Sequence, residues 1–276
     1  MRFGWCLLSA FAVAGCASQP VIAPHGIVSN NPCIDAVLAQ IALPGQISAV
    51  SIYSHEPDSA SAPLAWARQL PAIGISAEEI LLARPKMVLT GNLASGGTNA
   101  FLARAGIKTV ALGVAPTVAD ELQQIRTIAA AIDRVDAGER LISDIQQSLF
   151  STPISGPPVS AIIWQSGRFV AGKGTLQDEL LMRHGFRNAS AQYGLSSWGI
   201  LPLETLMRNP PQVIFMPTRE RRFDALEMSA RSKLLAHLGD RTRIVEFPDQ
   251  YCGGPTIIKA SSILAKTRAT FHQDKP

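Results

Sequence analysis

The residues able to do covalent or metal chemistry are few and scattered. Four cysteines and five histidines stand among 276 residues. No Gly-x-Ser-x-Gly elbow and no His-Glu-x-x-His pair occurs, and no serine has a hydrolase context. Cys33 and Cys252 remain candidates as thiol nucleophiles assisted by a distant histidine, as thiolate metal ligands, or as partners in a disulfide. A bound metal ion needs about four ligands, usually histidine with carboxylates. Only His55, beside Glu56 and Asp58, offers a local set. Gly167 to Lys173 nearly matches a phosphate-binding loop, but Gly174 stands where the metal-binding hydroxyl should follow the lysine. It reads better as a turn feeding a helix.

The N-terminus explains the other two cysteines. Arg2 is followed by an apolar run over residues 3–13, too short to span a bilayer and suited to a secretory signal. Val13-Ala14-Gly15-Cys16 then resembles a bacterial lipobox, in which the cysteine carries lipid; ordinary cleavage near Ala17 is the alternative. Cys6 lies in the leader, so an exported, periplasmic chain keeps Cys33 and Cys252. An oxidising compartment favours a disulfide between them, closing a loop of 252 − 33 = 219 residues. A free pair of thiols is the rival. The net charge of +4 is mild and no Lys/Arg stripe forms, which argues against a nucleic-acid partner. At 47% hydrophobic and 17% charged residues, the chain can bury a large core.

Alternating strands and helices must position these groups. Strands are expected at 25–30, 46–53, 87–90, 108–112, 159–164, 213–216 and 243–247. Helices are expected at 35–42, from Ser76 to Pro85 with a Ser76/Glu79 capping box, at 98–105, 177–184, 225–238 and 256–270. A long helical stretch covers 117–150, with a possible break at 133–136. Residues 151–158 form a Pro/Gly/Ser loop. The alternation implies parallel sheets and an α/β fold.

The two halves repeat a pattern. Glu78 precedes Pro85, and Met87-Val-Leu follows; Glu204 precedes Pro211, and Val213-Ile-Phe follows, with a common offset of 204 − 78 = 211 − 85 = 126. This suggests two similar lobes, with ligand bound at the carboxyl ends of the strands.

An exported, two-lobed α/β chain with a long helix between the lobes resembles the class III substrate-binding proteins of ABC importers. The stretches that carry the likeness are IVSNNPCIDAVLA, AVSIYSHEP, AEEILLARPKMVLT, FVAGKGTLQDELLMRHGFRNA and WGILPLETLMRNPPQVIFM, in that order. The resemblance implies a signal peptide with lipobox at 1–16, an N-terminal lobe at 17–132, an interdomain helix at 133–152 and a C-terminal lobe at 153–276. It implies a monomeric, non-enzymatic receptor that delivers a metal chelate, a corrinoid such as cobalamin or a ferric siderophore, to a permease dimer. Haem, a free metal ion, or an exported cysteine enzyme are the alternatives. Tyr53 and Trp198 match the cleft aromatics of the two lobes. Trp164 and Phe169 fall where the family places an aromatic on the second lobe's first strand, Tyr251 stands at another aromatic position, and Trp66 is a further candidate. Glu78 and Glu204 match the acidic lobe tips that meet the permease. Arg168 and Arg187 are candidates for pairing with an acidic siderophore. The departure lies in Tyr251-Cys-Gly-Gly-Pro255, where polar residues are expected. It could let Cys33 and Cys252 clamp the lobes at the cleft edge. No catalytic residue, metal ligand or cofactor is implied.

Overall fold

The structure, a computed structural model, describes residues 26–91, 96–150, 156–165, 168–217, 225–248 and 252–271. The leader with Cys16, and Tyr251, lie outside the described residues.

The first sheet is parallel throughout, in the order β3-β2-β1-β4-β5. Its strands are β1 (Ile27–Ser29), β2 (Ile47–Ser51), β3 (Ala72–Ile73), β4 (Met87–Thr90) and β5 (Lys108–Ala111). Helices α1 (Pro32–Ile41), α2 (Leu64–Ala67), α3 (Ala77–Leu82) and α4 (Gly96–Arg104) connect them. The second sheet takes β6 (Val159–Ile163), β8 (Phe186–Asn188), β10 (Val213–Met216) and β11 (Arg243–Glu246), in the parallel order β11-β10-β6-β8. A separate antiparallel ribbon pairs β7 (Phe169–Val170) with β9 (Gly199–Ile200). Helices α7 (Leu176–Arg183), α8 (Leu203–Arg208) and α9 (Ala225–Leu238) complete this half, and α10 (Thr256–Thr270) closes it.

The repeat seen in the sequence is a topological repeat. Reading β2-β1-β4-β5 against β8-β6-β10-β11 gives the same order and direction. In chain order α1 then corresponds to α7, α3 to α8, α4 to α9, and the helix that follows β5 to α10. The buried runs Met87–Thr90 and Val213–Met216 are the equivalent strands β4 and β10.

The helical stretch between the sheets is two helices, α5 (Val118–Ala131) and α6 (Val135–Leu149). The chain turns back at Asp133, which adopts φ 55°, so the two helices pack on each other. The apolar stripe of α6, from Ala137 through Leu141, Ile142 and Ile145 to Leu149, is buried. It faces α1 and α5 on one side and α10 on the other. One continuous apolar core therefore runs from Val50 and Leu89 of the first sheet, through Ile125, Ile142 and Leu264, to Ile163 and Phe215 of the second. Smaller cores cover the outer faces of the sheets: Val28, Ile73, Ile80 and Leu102 on the first, Ile162, Trp164, Leu206 and Met216 on the second. Burial of this extent across the join, at roughly 25 cal/mol per Å² of apolar surface, opposes any wide separation of the lobes.

Local signals explain several helix starts. Pro32 occupies the first turn of α1, and the Asn31 side chain accepts from the Cys33 and Ile34 amides. At α3 only half of the expected box forms. Ser76 accepts the Glu79 amide, while the Glu79 carboxylate lies against Gly74. The complete capping box is at α5, between Thr117 and Asp120.

Candidate functional site

Parallel strands followed by helices leave strand carboxyl ends and helix N-termini on the same edge. Here the edges of the two sheets face each other. The starts of α1, α5 and α7 and the turn that leads into α10 meet at the floor of a cleft of about 310 Å³. Asn31, Cys33 and Ile34 come from α1, Glu121 and Gln124 from α5, Thr175, Leu176 and Gln177 from α7, and Cys252 and Gly253 from the approach to α10. Gly91 and residues 112–116 complete the first lobe's wall, and Ser197 and Trp198 the second's.

A disulfide joins Cys33 to Cys252 across this floor, with Cα atoms 5.1 Å apart. Neither sulfur is then a thiolate, which removes both the nucleophile and the metal-ligand readings of these residues. Two further contacts cross between the lobes beside it. The Val118 amide donates to Glu179 Oε2 at 2.8 Å. The Glu121 carboxylate accepts from the amides of Gly253 and Gly254. The approach is close: a Cβ on Gly253 would lie 2.1 Å from Glu121 Cδ, so a larger residue would push the carboxylate aside. Burial pushes the Glu121 carboxyl up to about 7; the Gly254 amide opposes the shift and the Asp120 charge adds to it.

Helix N-termini carry partial positive charge, and each of the four is met from within the protein. Asn31 caps α1, Thr117 caps α5 with Glu179 on the Val118 amide, and Thr175 caps α7. The residue preceding α10 is Pro255, which offers no side-chain cap. The Glu121 carboxylate stands at that end instead.

Trp198 lines the cleft and is 43% exposed. Its position is fixed by a close backbone approach. A Cβ on Gly172 would lie 1.9 Å from the Ser197 carbonyl oxygen, so only glycine lets the two loops meet. Phe169 faces Ile200 across the β7–β9 ribbon, and both are exposed. Tyr53 follows β2 in a 3-10 turn, Ile52–His55, and is 41% exposed beside Ile52. Neither Tyr53 nor Phe169 belongs to the floor; both stand beyond the carboxyl ends of their sheets.

Trp164 is different from the expectation. It is 5% exposed and packs with Val170, Leu201 and Met216 in the outer core of the second sheet. Its backbone bridges Val170 of β7. Trp66 packs against the central core. Arg187 pairs in register with Ser160, near the amino end of β6 and away from the cleft edge. His55 is structural: Nε2 lies 3.0 Å from the Ala67 carbonyl and 3.1 Å from that of Leu70, so it carries the proton. Among the described residues no three of His, Cys, Asp or Glu converge as a metal set. Lys173 and Gly174 form the turn before the Thr175 cap of α7.

Two acidic groups that the sequence did not single out prove central. One is Glu121. The other is Asp35, buried beneath the first lobe's strand ends, where Oδ2 accepts from the Ser51 amide at 2.8 Å and the Ser54 hydroxyl at 2.6 Å. Burial raises its carboxyl to about 7. Glu78 and Glu204 are exposed in the first turns of the equivalent helices α3 and α8.

Two sheets that face across a floor built from helix N-termini define a bilobed ligand-binding protein. The chain belongs to the periplasmic binding protein family: residues 27–238 match the family model Peripla_BP_2. It is thus a substrate-binding protein of the ABC-importer type. Comparison with curated proteins finds no match. Solved structures share the fold at low identity. The periplasmic heme-binding protein RhuT of Roseiflexus sp. RS-1 is 23% identical, with a TM-score of 0.68 over 91% of this chain and 99% of that one. The periplasmic heme-binding protein HutB of Vibrio cholerae is 18% identical, with a TM-score of 0.69 over 90% and 99%. CeuE of Helicobacter pylori, with Ni(II) bound, is 16% identical, with a TM-score of 0.67 over 92% and 85%. No described helix is long and apolar enough to cross a membrane.

Proposed function

We propose that the cleft captures a metal chelate with few free carboxylates, and that a corrinoid suits it best. The observation that carries this reading is the chemistry of the lining. Among the described residues it holds the indole of Trp198, the amides of Gln124 and Gln177, the hydroxyls of Thr175 and Ser197, and no Lys or Arg. An indole wall buries a flat apolar face at low entropic cost, and neutral amides match the carboxamide rim of a corrinoid. The floor takes only part of such a ligand. Tyr53, Phe169 and Ile200 are exposed at the strand ends to hold the rest. Tyr251, which follows β11, is a further contact by its sequence position.

Haem is the second reading, because the similar structures include proteins named as heme-binding. Its two propionates would want basic groups that the described lining lacks. The test is calorimetric titration of the exported chain, with Cys16 replaced by Ser, against cyanocobalamin, a ferric siderophore and haemin. Saturation by cyanocobalamin supports the corrinoid; saturation by haemin alone replaces it with haem.

Delivery follows from the lobe tips. Glu78 and Glu204 place one carboxylate on each lobe at equivalent positions, suited to a permease dimer that presents two basic sites. The receptor acts as a monomer in this scheme. Cys16, in the lipobox, holds the chain at a membrane surface through its lipid.

A further inference from the structure

We propose that Glu121 is a specificity-determining residue of the cleft: its carboxylate occupies the Gly253 and Gly254 amides in the turn before α10 and so excludes ligands that turn a carboxylate to the floor. The inference rests on the reading of the cleft as the ligand site and extends it to ligand charge.

The four helices that end at the floor would make it attractive to anions. The protein answers that potential with its own side chains. At α1, α5 and α7 neutral or acidic caps from the neighbouring sequence do so. At α10 the first amides turn back on the preceding backbone, Thr256 to the Gly253 carbonyl and Ile257 to the Gly254 carbonyl, which leaves the Gly253 and Gly254 amides of that turn as the donors at the floor. Glu121 reaches over from α5 of the other lobe and accepts from the Gly253 and Gly254 amides, the donors that a ligand carboxylate would otherwise use. The contact is close, since a Cβ on Gly253 would meet this carboxylate at 2.1 Å.

Glu121 is also the one ionisable side chain among the described residues of the floor. It is held beside the Cys33–Cys252 bridge and cannot swing away without breaking an interlobe contact. Two amide donors leave acceptor positions on its oxygens for a ligand that offers N–H groups. A ligand carboxylate in the same place would meet a like charge in a partly dehydrated site, where repulsion is only weakly screened. Asp120, on the same helix, adds charge of the same sign.

The test uses a pair of ligands of one shape and two charges, haemin and its dimethyl ester, with cyanocobalamin as the neutral reference. Affinities are measured at about pH 8.5, where the Glu121 carboxyl, raised to about 7 by burial, is ionised, for the wild type, Glu121→Gln and Gln124→Glu, after thermal melting shows that each variant is folded. Gln124 lies one turn beyond Glu121 on α5 and also lines the cleft. The expected result is a shift of the haemin-to-ester affinity ratio towards the acid by about tenfold or more in Glu121→Gln, and in the opposite direction in Gln124→Glu. Cyanocobalamin, which offers amide N–H groups and no carboxylate, should gain no affinity in Glu121→Gln. If these ligands bind and the ratio stays within about twofold across the variants, a change too small for a partly buried charge, the role given to Glu121 is wrong and the receptor reading stands. If no ligand of the set binds the wild type, the corrinoid and haem readings of the cleft fail and this inference falls with them.

Discussion

Removal of the bridge between the lobes is the sharpest perturbation the fold offers. The Cys33–Cys252 disulfide closes a loop of 219 residues. In the chain-entropy treatment, a loop of that length costs the unfolded state about 18 cal/mol/K, or about 5 kcal/mol at 25 °C. Native disulfides removed from real proteins cost about 2–5 kcal/mol. At about 2–4 °C per kcal/mol for a chain of this size, the double variant Cys33→Ser/Cys252→Ser should melt roughly 10 °C lower. It should still fold, because the continuous core through α1, α5, α6 and α10 joins the lobes without the bridge. The assay is scanning calorimetry of the oxidised wild type, the reduced wild type and the double variant, with thiol titration of the native protein. Reduced and double-variant proteins should melt together. A loss below about 2 °C would contradict the stapling argument. Two reactive thiols in the native exported chain would refute the bridge itself.

Other outcomes follow from single residues. Asp35 is raised from 3.8 to about 7 in the folded protein, so the native state holds a proton that the unfolded chain has released. That contribution is complete below about pH 4 and is lost as pH rises through 7; Asp35→Asn should therefore show a flatter urea midpoint between pH 4 and 7 than the wild type. Glu121, raised from 4.5 to about 7, acts in the same sense. Gly172→Ala should cost about 1–3 kcal/mol in urea unfolding, because the new methyl meets Ser197 backbone atoms, and should weaken ligand binding by moving the Trp198 loop. Glu78→Lys or Glu204→Lys should leave ligand affinity unchanged and reduce uptake in a transport assay; unchanged uptake in both would remove the docking role.

Much of the fold was legible because strong periodicities and punctuating residues marked it. The strand Val213–Met216 is an unbroken apolar run, and it and the helices Ala225–Leu238 and Thr256–Thr270 appear at the expected residues. The Glu–Pro–strand repeat pointed to equivalent halves because Pro85 and Pro211 end the same helix in each. The β7–β9 ribbon escaped notice because two-residue strands have no period to read. Trp164 illustrates a different limit. It sits at the carboxyl edge of β6, as a cleft aromatic should, but its side chain turns into the outer core, and strand position alone does not give the face. Glu121 looked like any acidic residue in the first turn of an amphipathic helix. What makes it part of the floor is Gly253, brought beside it only by the meeting of the two lobes.

The central claim is that the cleft beside Trp198 binds a corrinoid. The most direct measurement is calorimetric titration of cyanocobalamin into the exported chain and into its Trp198→Ala variant. Saturable one-to-one binding near or below the micromolar range is expected, weakened about tenfold or more when the exposed indole is removed. Equal affinity in both proteins, or no binding to the wild type, would contradict it.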